Sequence, residues 1–191
     1  MKNKKSILTK KTSLSEDMCE RLNKQVAMEG AASQQYLACA SWCHKEGYEG
    51  AANFMYRHSD EERMHMLKLI NYINDSGSHA LSPAIKHVTN DFNSLREMFD
   101  FTLEHELKVS RSINDIVDAC FAEKDFASFQ FMQWYVQEQR EEEQLCRRIL
   151  ELFDLIGEEG QGLWLIDQEI VKFNEAEALG ADAIGEGEAG A

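Results

Sequence analysis

The chain's chemistry starts with Glu61-Glu62-Arg63-Met64-His65, in which Glu62 and His65 stand three residues apart. On a helix both would project from one face. A carboxylate oxygen and an imidazole nitrogen on adjacent turns form a chelate suited to iron or zinc. Glu29 lies in a small, apolar stretch (Val26-Ala27-Met28-Glu29-Gly30-Ala31-Ala32), where an acid is costly to bury unless it is paired or metal-bound. Glu106 ends the triplet Glu104-His105-Glu106, just after Phe99, Phe101 and Leu103. The run Glu138-Gln139-Arg140-Glu141-Glu142-Glu143 follows Phe129, Phe131, Trp134 and Tyr135, and Gln139 and Glu142 are again three apart. Taken singly, a run such as Glu141 to Glu143 reads as a solvated helix face, and a lone Glu-x-x-His recurs by chance. The recurrence of oxygen or imidazole ligands on four separate segments points to a metal centre. His44, His58, His79, His87 and His105 read as surface or packing residues.

The elements that must position these groups follow from a 3.6-residue apolar rhythm with almost no strand-like alternation. The first helix opens at Ser13-Leu14-Ser15-Glu16, a capping-box pattern, and runs to about His44. Gly47 and Gly50 punctuate a turn, and the second helix covers about Ala51 to Ser76, with Gly77 beyond its end. The stretch from Gly77 to Asn93 holds the only proline, Pro83. A second capping box, Ser94-Leu95-Arg96-Glu97, starts a third helix that ends near Glu123. Lys124-Asp125 leads to a fourth, from Phe126 to Ile156 and closed by Gly157, and a short fifth covers Leu163 to Phe173. Short first and third connections join antiparallel neighbours, while the long middle one can run the length of a bundle. The expected fold is all-α: a four-helix bundle with one long crossover and a short fifth C-terminal helix, over residues 14–174.

Thirty-four acids against twenty bases leave a net charge of −14, which argues against a nucleic-acid partner bound by phosphate neutralisation. No apolar window is long enough to span a membrane. Residues 1–13 read as a flexible basic tail with five lysines and no following apolar segment, hence not a secretory signal. Residues 175–191 read as a flexible acidic tail rich in Gly, Ala and Glu. The tails cancel in charge, so the acidity sits on the body. Five cysteines without a Cys-x-x-Cys pair suit a reduced, cytoplasmic chain with buried thiols, and Cys39 with Cys43 reads as packing before a soft-metal pair.

A di-iron carboxylate site in a bundle takes one Glu from each of two helices and a Glu-x-x-His pair from each of the other two. Glu29 and Glu106 supply the singles and Glu62-x-x-His65 one pair, but the fourth helix offers Gln139-x-x-Glu142. Over nearly all of residues 14–174 the sequence resembles the bacterial non-haem ferritins. The resemblance is carried by Leu22-Asn23-Lys24-Gln25 with Glu29, Ser41-Trp42-Cys43, Glu49-Gly50-Ala51-Ala52, His58-Ser59-Asp60-Glu61-Glu62 through His65-Met66, His105-Glu106, and Phe131-Met132-Gln133-Trp134-Tyr135-Val136 through Glu142. Gly162-Leu163 with Ile166-Asp167 resembles that family's entry to the fifth helix.

The resemblance implies that Glu29, Glu62 and His65 hold a first iron. Glu62, Glu106 and Glu142 would hold a second, with Gln139 nearby. Glu61, Glu138 and Glu141 would form a third, neighbouring iron site. Tyr36, seven residues from Glu29 on the same face, and Trp134 would be redox or hydrogen-bonding neighbours. It further implies a ferroxidase and iron store, oxidising Fe²⁺ with O₂ or H₂O₂ inside a homo-oligomeric shell of twenty-four subunits. Haem-binding relatives carry a His where Glu142 stands and a haem-ligand Met where Arg63 follows Glu62, so no haem is expected. The rival readings are weaker. A DNA-protecting mini-ferritin would lack the fifth helix, a rubrerythrin-like peroxidase needs a Cys-x-x-Cys iron domain, and a non-catalytic scaffold leaves Glu29 and Glu106 without a reason.

Overall fold

The computed structural model describes residues 12–84 and 87–173, which form helices and no strands. Helix α1 spans Glu16–Glu46, α2 Glu49–Asp75, α3 Leu95–Glu123 and α4 Phe126–Ile156. A shorter α5 covers 162–173. Two-residue turns join α1 to α2 and α3 to α4, and each pair packs along its length, with α1 also against α3. Two hairpins linked by one long crossover is the architecture expected from the connection lengths.

Local signals set most boundaries. Gly47 closes α1 at φ 88°, its N–H reaching the carbonyls of Cys43 and His44. The Ser94 side chain accepts from Glu97 N at 3.0 Å to start α3, and Asp125 does the same from Ser128 N to start α4. Two starts differ from the sequence reading. The cap of α1 is Ser15, which accepts from Met18 N at 2.9 Å, not Ser13. Ser13 N and Thr12 Oγ1 both donate to the Ser76 carbonyl at the end of α2, satisfying a carbonyl that a helix terminus leaves orphaned. These two residues of the expected tail are therefore tied down, while the remainder of both tails lies outside the described residues. Helix α2 begins at Glu49, two residues before Ala51. Its N-cap Tyr48 offers no side-chain bond, and the cap comes from α5 instead. Asp167 accepts from Gly50 N at 3.0 Å and Ala51 N at 2.8 Å. A Cβ on Gly50 would lie 2.2 Å from the Asp167 carbonyl oxygen, so the contact requires glycine there.

The crossover is held to α1 by side-chain amides. Gln35 donates to Thr89 O at 2.8 Å and accepts from Thr89 N at 2.9 Å. Asn23 accepts from Leu81 N at 2.7 Å. Gly30 lets Pro83 pass close, since a Cβ would meet the Pro83 ring at 2.8 Å.

The interior divides into two apolar clusters. One gathers Trp42, Phe54, Leu95, Phe99, Ile149 and Ile166. The other gathers Leu22, Val26, Leu69, Val109, Ile113 and Tyr135. On α2, α3 and α4 a polar segment separates the residues of one cluster from those of the other, and on α1 Glu29 falls at the same level. Cys39 and Cys43 belong to the first cluster, and burial lifts the Cys39 thiol to about 11, so it packs as a neutral group. Among the described residues no helix is long and apolar enough to cross a membrane.

Candidate metal centre

The polar layer between the two clusters is where the candidate ligands meet. Helix α1 contributes Glu29, α2 contributes His58, Glu61, Glu62 and His65, α3 contributes Glu106, and α4 contributes Gln139 and Glu142. Glu29, Glu62 and Glu106 are at most 3% exposed. Three acids at this depth are expensive for a fold to keep without compensation.

Glu29, Glu62 and His65 form one group, with a ligand atom from each within 4.8 Å of the others. Gln25 Nε2 donates to Glu29 Oε1 at 2.8 Å, and Gln25 is itself fixed by Ser112 Oγ at 2.6 Å. His65 stands edge-on to Trp134, with ring centroids 5.1 Å apart, and Tyr135 Oη donates to the His65 carbonyl at 2.8 Å. Glu62 Oε2 is buried and accepts no hydrogen bond among the described residues. His65 Nδ1 lies 3.6 Å from it. An orphaned carboxylate oxygen beside an imidazole is the environment a cation would complete. Burial, then the neighbouring Glu62 charge, raises the Glu29 carboxyl well above its usual range. Burial lifts Glu62 to about 8, although the hydrogen bond with Glu29 opposes the rise. Burial thus pushes both carboxyls toward the protonated form, Glu29 the more strongly, because the hydrogen bond between them raises it and lowers Glu62.

The acids assigned by resemblance to the second iron are held by other partners. Tyr36 Oη and Gln139 Nε2 both donate to the Glu106 carboxylate, and Gln139 also reaches the Glu106 carbonyl at 3.2 Å. Tyr36 Oη touches His105 Nδ1 at 3.4 Å as well. Burial first, then the Glu142 charge, pushes the Glu106 carboxyl up. Glu142 Oε2 lies 3.1 Å from His58 Nδ1. Burial works against its charge, but His58 outweighs it, with help from His65 and Arg57, and the carboxyl sits below its usual range.

His58, read from the sequence as a surface or packing residue, packs its ring against Phe54 with centroids 4.0 Å apart and also faces candidate ligands. It is 4% exposed, and with Glu61 and Glu142 it forms a second group whose ligand atoms lie within 4.8 Å. His58 precedes Glu61 by three residues and Glu62 by four, so helical phase was the signal that could have found it. Of the three acids assigned to a third site, Glu61 belongs to this group, where Arg57 Nη1 also reaches it at 2.9 Å. Glu138 is half-buried and shares with Glu61, His65 and Trp134 the wall of a groove of about 690 Å³ between α2 and α4. Glu141 lies outside both groups: it is exposed and accepts from Gln137 Nε2. Arg63 is exposed, turned from the centre.

Comparison with known proteins follows the same helices. Residues 19–156 match the model of the ferritin-like domain of the family Ferritin. A probable bacterial non-heme ferritin-like protein of Haemophilus influenzae is 43% identical over 157 residues, covering 82% of this chain and 95% of that protein. A bacterial non-heme ferritin of Campylobacter jejuni is 42% identical over the same length, covering 82% and 94%. Among solved structures, an open pore ferritin from the archaeon Archaeoglobus fulgidus superposes with a TM-score of 0.80 at 35% identity, covering 83% of this chain and 98% of that one. Helix order, crossover and sequence agree over most of the chain, and the chain belongs to the ferritin family.

Proposed function

We propose that the protein is an iron-storage ferroxidase. It oxidises Fe²⁺ to Fe³⁺ at a pair of sites inside each subunit, and it deposits ferric mineral within a homo-oligomeric shell, of twenty-four subunits by resemblance, in the cytoplasm. The observation that carries this reading is the buried Glu29–Glu62–His65 group with its orphaned Glu62 oxygen. Oxygen ligands with one imidazole suit Fe²⁺. A site rich in carboxylate also favours the ferric product, because negative charge stabilises the higher-charged ion.

The layout supports an order of filling. The first iron meets ligands already gathered at Glu29, Glu62 and His65. The second needs Glu106 to turn from Tyr36 and Gln139, and Glu142 to turn from His58, with Glu62 bridging. Bonds of this kind, broken as the ion arrives and re-formed as it leaves, suit a transit site better than a permanent one. By resemblance Glu61, Glu138 and Glu141 provide a neighbouring acidic position, which Glu141 joins only by turning from Gln137, and His58 is now added to it.

The test loads the protein with Fe²⁺ anaerobically, admits oxygen, and follows ferric absorbance in wild type and Glu62→Ala. Wild type oxidises iron quickly and continues to mineralise, while the variant falls to the rate of free iron. Equal slow rates would refute the catalytic reading, and oxidation that stops after a few irons per subunit would refute storage. Size-exclusion chromatography checks the shell, which elutes as a very large particle.

A further inference from the structure

A second pocket approaches the centre, on the face of α4 turned toward α3 and not toward α2. Helices α3 and α4 enclose a pocket of about 200 Å³ lined by Ser110, Asn114, Val136, Gln139, Arg140 and Glu143. Gln139 forms its inner end and is 8% exposed. The Gln139 Nε2 is committed to the Glu106 carbonyl and carboxylate, while its Oε1 accepts no hydrogen bond among the described residues. One buried side chain therefore stands between a solvent-reachable pocket and a carboxylate of the proposed iron pair, with an acceptor oxygen left over.

We propose that this pocket admits hydrogen peroxide to the centre, and that Gln139 Oε1 receives it. The inference rests on the ferroxidase reading. Hydrogen peroxide carries two O–H donors and can use the Gln139 oxygen, while the Ser110 hydroxyl, the Asn114 amide and the Arg140 guanidinium can bond it along the way. Dioxygen has no hydrogen to give and gains nothing from such a lining. Arg140 and Glu143 offset one another in this pocket, so it offers Fe²⁺ no net attraction, whereas Glu61, Glu138 and Asp75 outnumber Lys68 along the groove between α2 and α4 that leads to His65. The two substrates thus approach by separate faces, the cation by the acidic groove and the neutral oxidant by the polar pocket. In the step itself each of two Fe²⁺ ions gives one electron, the O–O bond breaks, and two hydroxides and two Fe³⁺ result. Gln139 is neither oxidised nor protonated; it positions the peroxide.

Val136 allows the route to be closed without touching a proposed ligand. It lies on the pocket wall and is 38% exposed, so Val136→Trp fills the passage without overpacking the core. Val136→Ala, which widens it, is the control. Anaerobic Zn²⁺ titration by calorimetry on the intact oligomer gives a readout independent of oxidation, and both variants should bind as wild type does. With Fe²⁺ bound, Val136→Trp should slow oxidation by hydrogen peroxide roughly tenfold or more, while oxidation by dioxygen stays within about twofold and Val136→Ala oxidises at least as fast as wild type. Unchanged peroxide rates in Val136→Trp with Zn²⁺ binding intact would overturn the route. An equal fall with both oxidants would overturn its selectivity for peroxide. A wild-type protein that oxidises iron with neither oxidant would remove the ferroxidase reading and this proposal with it, a result distinct from the other two.

Discussion

Removing the Glu62 charge should make the metal-free protein more stable while abolishing its use of metal. Glu62 is 3% exposed, and burial raises its carboxyl from an ordinary 4.5 to about 8. A raised carboxyl means that the folded state disfavours the charged form. Between these two values the unfolded chain releases the proton and the folded chain keeps it, so the folded state binds more protons and stability falls as pH rises. Below the ordinary value both states are protonated and the penalty vanishes; above about 8 it is complete. The shift corresponds to about 4 kcal/mol at pH 8 and to less than about 1 kcal/mol at pH 5. Glu62→Gln keeps the shape, can donate to Glu29, and never ionises. In chelator-treated protein its urea midpoint should therefore exceed that of wild type clearly at pH 8 and only slightly at pH 5. Adding Zn²⁺ at pH 8 should raise the wild-type midpoint, because the cation replaces the missing partner of Glu62, and should leave the variant nearly unmoved. A gain that is the same at both pH values, or no gain at all, would refute the claim that an uncompensated buried charge sets the stability of the empty centre.

Two further outcomes follow from the packing. Anaerobic calorimetry with Zn²⁺ should show a tighter and a weaker phase per subunit. Glu142→Gln should remove only the weaker phase, because Glu29, Glu62 and His65 are gathered without it; loss of both phases together would contradict sequential assembly. Asp167→Ala should lower stability by about 1–2 kcal/mol, the usual worth of a helix N-cap, because Gly50 N and Ala51 N lose their buried acceptor. Thermal denaturation checks this, and Asp167→Asn, which keeps an acceptor oxygen, should recover part of the loss.

The α2 start shows why some boundaries escape a sequence reading. Ser94 and Gly157 act on their own neighbours, so α3 and α4 begin and end where the local pattern says. The start of α2 is fixed by Asp167, 117 residues away from Gly50, and nothing around Tyr48 announces it. At α1 the capping-box pattern points to Ser13, but Ser13 N bonds the Ser76 carbonyl across the hairpin and Ser15 supplies the cap.

The site divides along the same line. Glu29 and Glu106 were legible because an acid within or just after an apolar stretch violates the burial pattern of its own helix, and Glu62 because His65 follows it three residues on, on the same face. His58 was not, because Arg57-His58-Ser59-Asp60 is polar throughout and gives no such contrast. In the run Glu141-Glu142-Glu143 composition cannot say which acid turns inward, since all three are alike. Phase decides: Glu142 meets His58 on α2, Glu143 accepts from Ser110 on α3, and Glu141 faces solvent. Only Gln139, three residues before Glu142, hinted at that phase. What no spacing rule could supply is the partner each acid keeps before metal arrives. Those partners (Tyr36 and Gln139 for Glu106, His58 for Glu142) belong to other turns or other helices, and they are what sets Glu106 and Glu142 apart from the gathered Glu29–Glu62–His65 group.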